Sequence, residues 1–227
     1  MRVGLLGYYH LAFFGVFLPY LAIKSSRKLA TRPYPPKVNY FNSQVLILTI
    51  FLAISVFIGR REWITVFSTD VPEPRMFVLG SAVLVALVVL MRPIWRRRVE
   101  ERSRKVWLFM PRTRKERFLW FAVSLAAGVS EEATYRGVMF AILWRLTGSA
   151  LAAALIGAAI FSISHFVQGV KSMAIIFGIA LSFQMIAWVS GSLYVGMAVH
   201  ALYDMAAGSF YGRYGEKLGY PTEPMPP

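Results

Sequence analysis

The sequence contains no cysteine in its 227 residues. A disulfide, a thiolate nucleophile and a cysteine-ligated metal are therefore excluded. Acidic residues are also few, with 11 aspartates and glutamates against 25 lysines and arginines, and histidine occurs only three times. Any site that needs a carboxylate or an imidazole must draw on this small set of side chains.

Apolar residues make up 57% of the chain, whereas only 16% of its residues are charged. This composition is too apolar for a soluble domain and is ordinary for a polytopic membrane protein. The net charge of +14 does not indicate a nucleic-acid partner, because the basic residues lie in the gaps between apolar runs. We therefore predict an all-α fold, a transmembrane helical bundle forming one membrane domain over residues 1–227.

Seven apolar runs predict about seven transmembrane spans. The first run has its positive charges after it, which favours a retained span over a cleaved signal peptide. Residues 1–117 would hold the first three spans and a basic cytoplasmic loop, the four C-terminal spans in residues 118–210 would form the active site, and residues 211–227 would be a flexible tail. The runs cover approximately residues 3–23, 44–59, 76–91, 118–144, 149–166, 173–189 and 193–210.

Lysine and arginine are unevenly distributed among the predicted loops. Most of them fall in alternate loops, above all in residues 92–117. The positive-inside rule then places the C-terminus in the cytoplasm and the N-terminus outside. We expect an integral protein of a prokaryotic plasma membrane, in which Arg92–Arg117 forms a solvated helical hairpin or arm against anionic lipid headgroups. The oligomeric state cannot be predicted from these features.

Two adjacent acids and an arginine interrupt the fourth apolar run. Ionisable groups at such depth cost several kcal/mol unless they pair or line a wet cavity, so they indicate a functional site. Glu132 and Arg136 are four residues apart with the acid first, the favourable order for an ion pair on a helix. Glu131 would point about 100° away from Glu132 on an α-helix and would lack that partner.

The last three apolar runs contain two histidines and an aspartate that complete the candidate site. His200 and Asp204 share one helical face, and His165 lies close to the end of the fifth run. A carboxylate beside imidazoles can deprotonate a water that attacks a carbonyl, while hydrogen-bond donors stabilise the oxyanion. No serine has nucleophile-elbow spacing and HExxH is absent, but a zinc site of Glu131, His165 and His200 stays open. Singly, each group could instead be a buried structural partner.

Glu131 and His165 can lie at the same depth in the membrane only if one of their two helices extends beyond its apolar run. Glu131 lies 13 residues beyond Phe118, roughly 20 Å along a helix, whereas His165 lies at the cytoplasmic end of its run. We therefore expect the fourth span to begin upstream, near Arg112, rather than the fifth to continue further. The third histidine, His10, has no ionisable residue one turn away, so we interpret it as a hydrogen-bonded packing residue.

Three motifs in these runs resemble those of a known family. Residues 131–137, EEATYRG, resemble the EExxxR motif of the CPBP family, which comprises CAAX endopeptidases and bacteriocin-processing or self-immunity membrane proteins. Residues 161–165 are similar to its FxxxH motif and residues 200–204 to its HxxxN/D motif. The motifs occur in the family's order, each in a different apolar run.

The resemblance implies an intramembrane endopeptidase that hydrolyses a peptide bond of a membrane-associated protein or peptide. By motif position, Glu131 would activate the hydrolytic water with help from His165, while Glu132 and Arg136 would order the site. Members have been described as glutamate-dependent and as metal-dependent, and we expect no cofactor here, with a divalent metal such as zinc as the alternative. A non-proteolytic immunity or scaffold protein that binds a peptide in the same cavity, and a proton-coupled transporter, are the alternative functions.

The third motif departs from that of the prenyl-protein-processing members, which resemble HxxxN. His200 and residue 204 would hold the oxyanion, but an ionised Asp204 cannot donate a hydrogen bond. Asp204 would then be protonated, belong to a metal site or orient His200, and we favour orientation. The motifs do not identify the substrate or show whether it is prenylated.

Overall fold

The computed structural model describes residues 2–102 and 104–222, and all regular structure within these residues is helical. This confirms the predicted all-α class. The helices are α1 (Leu5–Thr31), α2 (Lys37–Arg61), α3 (Pro74–Glu100), the short α4 (Arg104–Trp107), α5 (residues 114–147), α6 (Ala150–Ser164), α7 (Val170–Ser190) and α8 (Leu193–Lys217).

The seven longer helices of the described chain coincide with the seven apolar runs. Helices α1, α2, α3 and α7 are long and apolar enough to cross a membrane, and α6 is apolar but shorter. Their outer faces expose large apolar side chains such as Leu46, Leu90 and Leu151. A bundle whose backbone bonds are satisfied within helices and whose outer surface is apolar suits a lipid environment. The protein is a helical membrane protein.

Helix α5 begins at Arg114, close to the upstream start predicted near Arg112. Thr113 is its N-cap: its hydroxyl accepts from the Glu116 amide at 3.1 Å, and the Glu116 carboxylate accepts from the Thr113 amide at 3.2 Å. This reciprocal capping box satisfies amide groups that the first turn of a helix leaves free. The prediction of an earlier start is therefore confirmed, whereas α6 ends at Ser164.

Helix α5 is not a regular α-helix throughout. Residues Glu132–Met139 form π-helical turns, and all eight are buried. A π-helix closes i→i+5 hydrogen bonds, so it has more residues per turn and consecutive side chains diverge less than on an α-helix. The α-helical geometry assumed for the motif beyond Glu131 is therefore wrong. Short π segments of this kind are frequent at functional sites.

The predicted solvated arm is wrong for the centre of the basic stretch. Val106, Trp107, Leu108 and Met110 are buried and form a cluster with aromatic residues of the loop after α1 and of the C-terminal segment. The apolar side chains that separate the basic ones drive this burial. Basic groups around this cluster bind backbone carbonyls: Arg104 donates to Leu29, Arg112 to Tyr220 and the buried Lys37 to Met110.

The predicted flexible tail is wrong for its described part. Helix α8 continues beyond Phe210 to Lys217, and Tyr220 is buried, with its hydroxyl donating to the Val99 carbonyl at 2.9 Å. Burial raises the pKa of the Tyr220 phenol, so it stays protonated as the donor. Aromatic side chains in the segment thus fold it against α3. Residues 223–227 lie outside the described part of the chain.

Candidate active site

Close packing of α5 against α8 brings the two acids to the third motif. A Cβ at Gly128 would lie 2.8 Å from the Ala201 amide nitrogen, so only glycine allows this approach. On the same interface, Trp120 lies against Gly208 and its indole N–H donates to the Asp204 carbonyl at 2.9 Å. These contacts hold α5 and α8 together on both sides of the site.

His200 lies between carboxylates that contact different ring nitrogens. Its Nδ1 lies 2.8 Å from Oε1 of Glu132, whereas its Nε2 lies 3.7 Å from Oε2 of Glu131 and 3.8 Å from Oδ2 of Asp204. An ionised carboxylate only accepts hydrogen bonds, so Nδ1 carries the hydrogen of the short contact. Glu132 thereby fixes the orientation of the ring and directs Nε2 toward the other two acids.

Glu132 and Arg136 form the ion pair that their spacing predicts. Nη1 of Arg136 donates to Oε1 of Glu132 at 3.1 Å, and Nη2 donates to the Ala180 carbonyl of α7 at 3.3 Å. The guanidinium also lies over the ring of Phe161, 4.4 Å from its centroid, and 5.6 Å from that of Phe183. Since both charged groups are buried, this pair is a structural anchor of the site.

Glu131 lies beside both imidazoles and has partial access to solvent. Its Oε2 lies 3.9 Å from Nε2 of His165 and 3.7 Å from Nε2 of His200. Nδ1 of His165 donates to the Phe161 carbonyl at 2.8 Å, which leaves Nε2 directed at Glu131. The side chains of Glu131 and His165 are 17% and 24% exposed, whereas that of Glu132 is 1% exposed. Of the two acids, Glu131 is therefore the one that is accessible to solvent.

Asp204 faces the same space as Glu131 and lies within ion-pairing distance of His200. The 3.8 Å between Oδ2 and Nε2 is beyond hydrogen-bonding distance, and Glu132 holds the ring from its other nitrogen. The expected orienting role of Asp204 stays a prediction, and the shorter contact with the ring is that of Glu132. At 30% exposure, the Asp204 side chain is the most accessible carboxylate of the site.

The structure brings all six predicted residues to one place and adds contacts that the sequence did not indicate. Helix α7 supplies no ionisable group, yet the Phe183 ring packs against His200 with centroids 4.9 Å apart, and the Ala180 carbonyl binds Arg136. An apolar residue on an apolar helix has no distinguishing local pattern, so Phe183 could not be singled out. Phe161 carried a signal as the first residue of FxxxH, and it contacts the His165 ring at 4.4 Å.

The alternative zinc site fits this arrangement poorly. Within residues 2–102 and 104–222, no group of three or more histidine, aspartate or glutamate side chains is placed to hold a metal ion. Oε2 of Glu131 lies 3.7–3.9 Å from the two imidazole nitrogens, further than the separation of ligands that lie about 2.0–2.1 Å from one tetrahedral zinc. We therefore derive no catalytic step through a metal.

A comparison with protein families bears directly on this part of the chain. Residues 113–206 match the family model described as Rce1-like, type II CAAX prenyl endopeptidase. The match begins at the N-cap of α5 and ends just after Asp204, so it contains the whole cluster and none of α1 to α3. No curated protein and no solved structure matches the chain. Over residues 113–206, this helical membrane protein is thus similar to the type II CAAX prenyl endopeptidases.

Proposed function

We propose that the protein cleaves a peptide bond of a membrane-associated protein or peptide with a water activated by Glu131. The observation that carries the proposal is the environment of this carboxylate. Glu131 is free of the buried ion pair, is partly exposed and lies within 4 Å of Nε2 of both His165 and His200. A general base needs these properties: access to water, and neighbours that hold the water in place.

The first step is attack by water on the scissile carbonyl. The separations of 3.7–3.9 Å suit a water that is hydrogen-bonded to Glu131 and to an imidazole at about 2.8 Å each. Glu131 takes one proton from this water as its oxygen bonds to the carbonyl carbon. His165 positions the water, because its Nδ1 is held by a backbone carbonyl and its ring cannot turn away without losing that bond.

The second step is collapse of the tetrahedral intermediate. A doubly protonated His200 presents Nε2–H to the oxyanion, and the surrounding carboxylates balance the ring's charge. The carbon–nitrogen bond then breaks, and the protonated Glu131 returns its proton to the leaving amine. Asp204 contributes negative charge beside His200 rather than a donor. Glu132 and Arg136 act through His200, since they fix its ring and touch no reacting atom.

The distribution of basic side chains supports the predicted orientation in the membrane. Arg92, Arg96 and Arg97 near the end of α3 are exposed, where they can contact anionic headgroups of a cytoplasmic leaflet. His165 lies at the end of α6, and the loop that follows leads to Lys171. The site would then open toward the cytoplasm of a prokaryotic cell, with the N-terminus outside.

The variant Glu131→Gln tests the proposed function, because it preserves size and hydrogen bonding and removes the base. Membrane fractions from cells that contain wild-type protein, Glu131→Gln or the exposed control Glu216→Gln are compared by proteomics. An uncut precursor should accumulate only with Glu131→Gln. If this variant processes every protein that the wild type processes, Glu131 is not the base and the proposal is wrong.

A further inference from the structure

His10, the histidine outside the active-site cluster, ends a chain of buried polar contacts. Its Nε2 lies 3.3 Å from the Ser55 hydroxyl, which lies 2.8 Å from the Thr134 hydroxyl. The three residues belong to α1, α2 and α5, and each is almost fully buried. We call this chain of contacts the polar bridge. Its first contact confirms the expectation that His10 is hydrogen-bonded.

The polar bridge ends inside the EExxxR motif. Thr134 lies in the π-helical segment, after the two acids and before Arg136. The opposite side of this segment is held by the ion pair within the motif and by the contact of Glu132 with His200. Thr134 is therefore connected to α2 through Ser55, and through Ser55 to His10 of α1.

A π-helical turn needs support that a regular helix does not. Its wider ring lacks the i→i+4 bonds of the neighbouring turns, so surrounding groups must favour it over the α-helical winding. A change to α-helical winding would rotate Glu131 relative to the rest of the motif and move its carboxylate from the imidazoles. Buried hydrogen bonds between helices define such a conformation more strictly than apolar contacts, because a displaced hydroxyl loses its partner.

The surroundings of His10 indicate which of its ring nitrogens carries the hydrogen. Nδ1 of His10 has no hydrogen-bond partner within the described residues, and a buried donor without a partner is rare. The hydrogen is therefore assigned to Nε2, which donates to Ser55, and in the Ser55–Thr134 contact either hydroxyl can be the donor. The His10 ring also packs against Phe14, with centroids 4.6 Å apart, and this contact fixes its orientation.

We propose that His10, Ser55 and Thr134 are positioning residues that hold the π-helical turn in the conformation that places Glu131 beside His165 and His200. The proposal rests on the proposed function, since it assigns the bridge a role in that reaction. It differs from a packing role in one respect. In a positioning role the hydroxyl group of Thr134 is required, whereas in a packing role only the shape of its side chain is. Loss of the hydroxyl should therefore lower kcat more than it changes KM.

The sharpest test compares Thr134→Val, which keeps the shape and removes the hydroxyl, with Thr134→Ser, which keeps the hydroxyl. The probe is a fluorogenic peptide that ends in a farnesylated CAAX-type sequence. Thr134→Val should lower kcat about tenfold with KM within about twofold, as expected when a catalytic group is displaced. Thr134→Ser should stay within about twofold of wild type. The matched control is Thr49→Val, which removes an exposed hydroxyl bonded only to its own helix.

Ser55→Ala also removes the polar bridge, by a smaller change. It therefore tests the proposal even if Thr134→Val does not fold. Combining Ser55→Ala with Thr134→Val should lower kcat no further than either change alone, because both remove one interaction. If Thr134→Val matches wild type in kcat, or if Thr134→Ser loses as much as Thr134→Val, the positioning role is wrong. Glu131→Gln in the same assay separates the two proposals. If Glu131→Gln is active, Glu131 is not the general base. If Glu131→Gln is inactive and Thr134→Val is fully active, only the positioning role of the polar bridge is wrong.

Amide hydrogen exchange supplies a readout that needs no cleavage of the probe. In Thr134→Val and Ser55→Ala, peptides covering residues 132–139 should exchange faster than in wild type, because the turn opens more often. Thr134→Ser and Thr49→Val should show wild-type exchange in that segment. Unchanged exchange in both hydroxyl-deletion variants would overturn the proposal even if the probe is not a substrate.

Discussion

Nδ1 of His200 donates to Glu132 at 2.8 Å, and this one contact separates the tasks of the two adjacent acids. Oε1 of Glu132 accepts hydrogen bonds from both His200 and Arg136, and all three side chains are buried. Glu131, one residue earlier, lies at the other nitrogen of the same ring and retains access to water. A buried acid that orients the ring and a partly exposed acid thus follow each other in the chain and contact one imidazole from two sides.

The first prediction is that neutralising the two acids has different effects on stability. Glu132→Gln leaves Arg136 buried without its counter-charge, so it should lower the free energy of unfolding by about 3–5 kcal/mol and abolish activity. Glu131→Gln should abolish activity and change stability little, because its partners are more than 3.5 Å away. Thermal unfolding in detergent measures the difference. Equal destabilisation by both variants would contradict this separation of tasks.

The second prediction concerns the contact between α5 and α8. Gly128→Ala would place a methyl group 2.7 Å from the Met197 carbonyl oxygen and 2.9 Å from the Ala201 Cβ, so the helices must separate. We expect a loss of about 1–3 kcal/mol in unfolding free energy, as for overpacked cores, and lower activity because Glu131 moves away from His200.

Gly178→Ala is the matched control for this glycine. It adds the same methyl group to a helical glycine of α7 that has no other group within 4 Å of the new atom. Because alanine has a higher helix propensity than glycine, this variant should be at least as stable as the wild type. Similar losses in the two variants would show that tight packing at Gly128 is not the cause.

The third prediction is the orientation of the bundle, which the absence of native cysteine makes simple to measure. A membrane-impermeant maleimide should label Asp70→Cys in intact cells and Arg97→Cys only after permeabilisation. Both positions are exposed in the structure: Asp70 lies in the loop before α3, and Arg97 lies near the C-terminal end of α3. The reversed labelling pattern would place the C-terminus outside and the active site toward the opposite side of the membrane.

The fourth prediction is that catalysis persists without a bound metal. Protein that has been dialysed extensively against a chelator should keep its peptidase activity within about twofold, because the proposed steps use protein side chains and water alone. Metal content is measured on the same sample to show that removal is complete. Loss of activity that zinc restores would favour the metal-dependent mechanism and redirect Glu131 and the two histidines to a ligand role.

The sequence by itself determined the class of the protein and the identity of its unusual residues. Long apolar runs must become helices in a membrane because lipid offers no partner for backbone groups. The motif residues Glu131, Glu132 and Arg136 stand out for a related reason. Charged side chains in such runs cost free energy, so most of those that occur have a functional or structural role. The start of α5 was also predictable from the sequence. Glu131 and His165 lie at different depths within their apolar runs, so they can meet if α5 begins upstream of its run.

Only the tertiary structure decided which atoms meet. The division of the His200 nitrogens between two acids depends on the packing of α5 against α8 and on the π-helical turn, and neither leaves a local periodicity in the sequence. The contact of His10 with Ser55 joins residues 45 positions apart, and the burial of Trp107 depends on aromatic residues from both ends of the chain. Such contacts depend on how helices rotate and approach one another, which is set by the whole bundle rather than by any one segment.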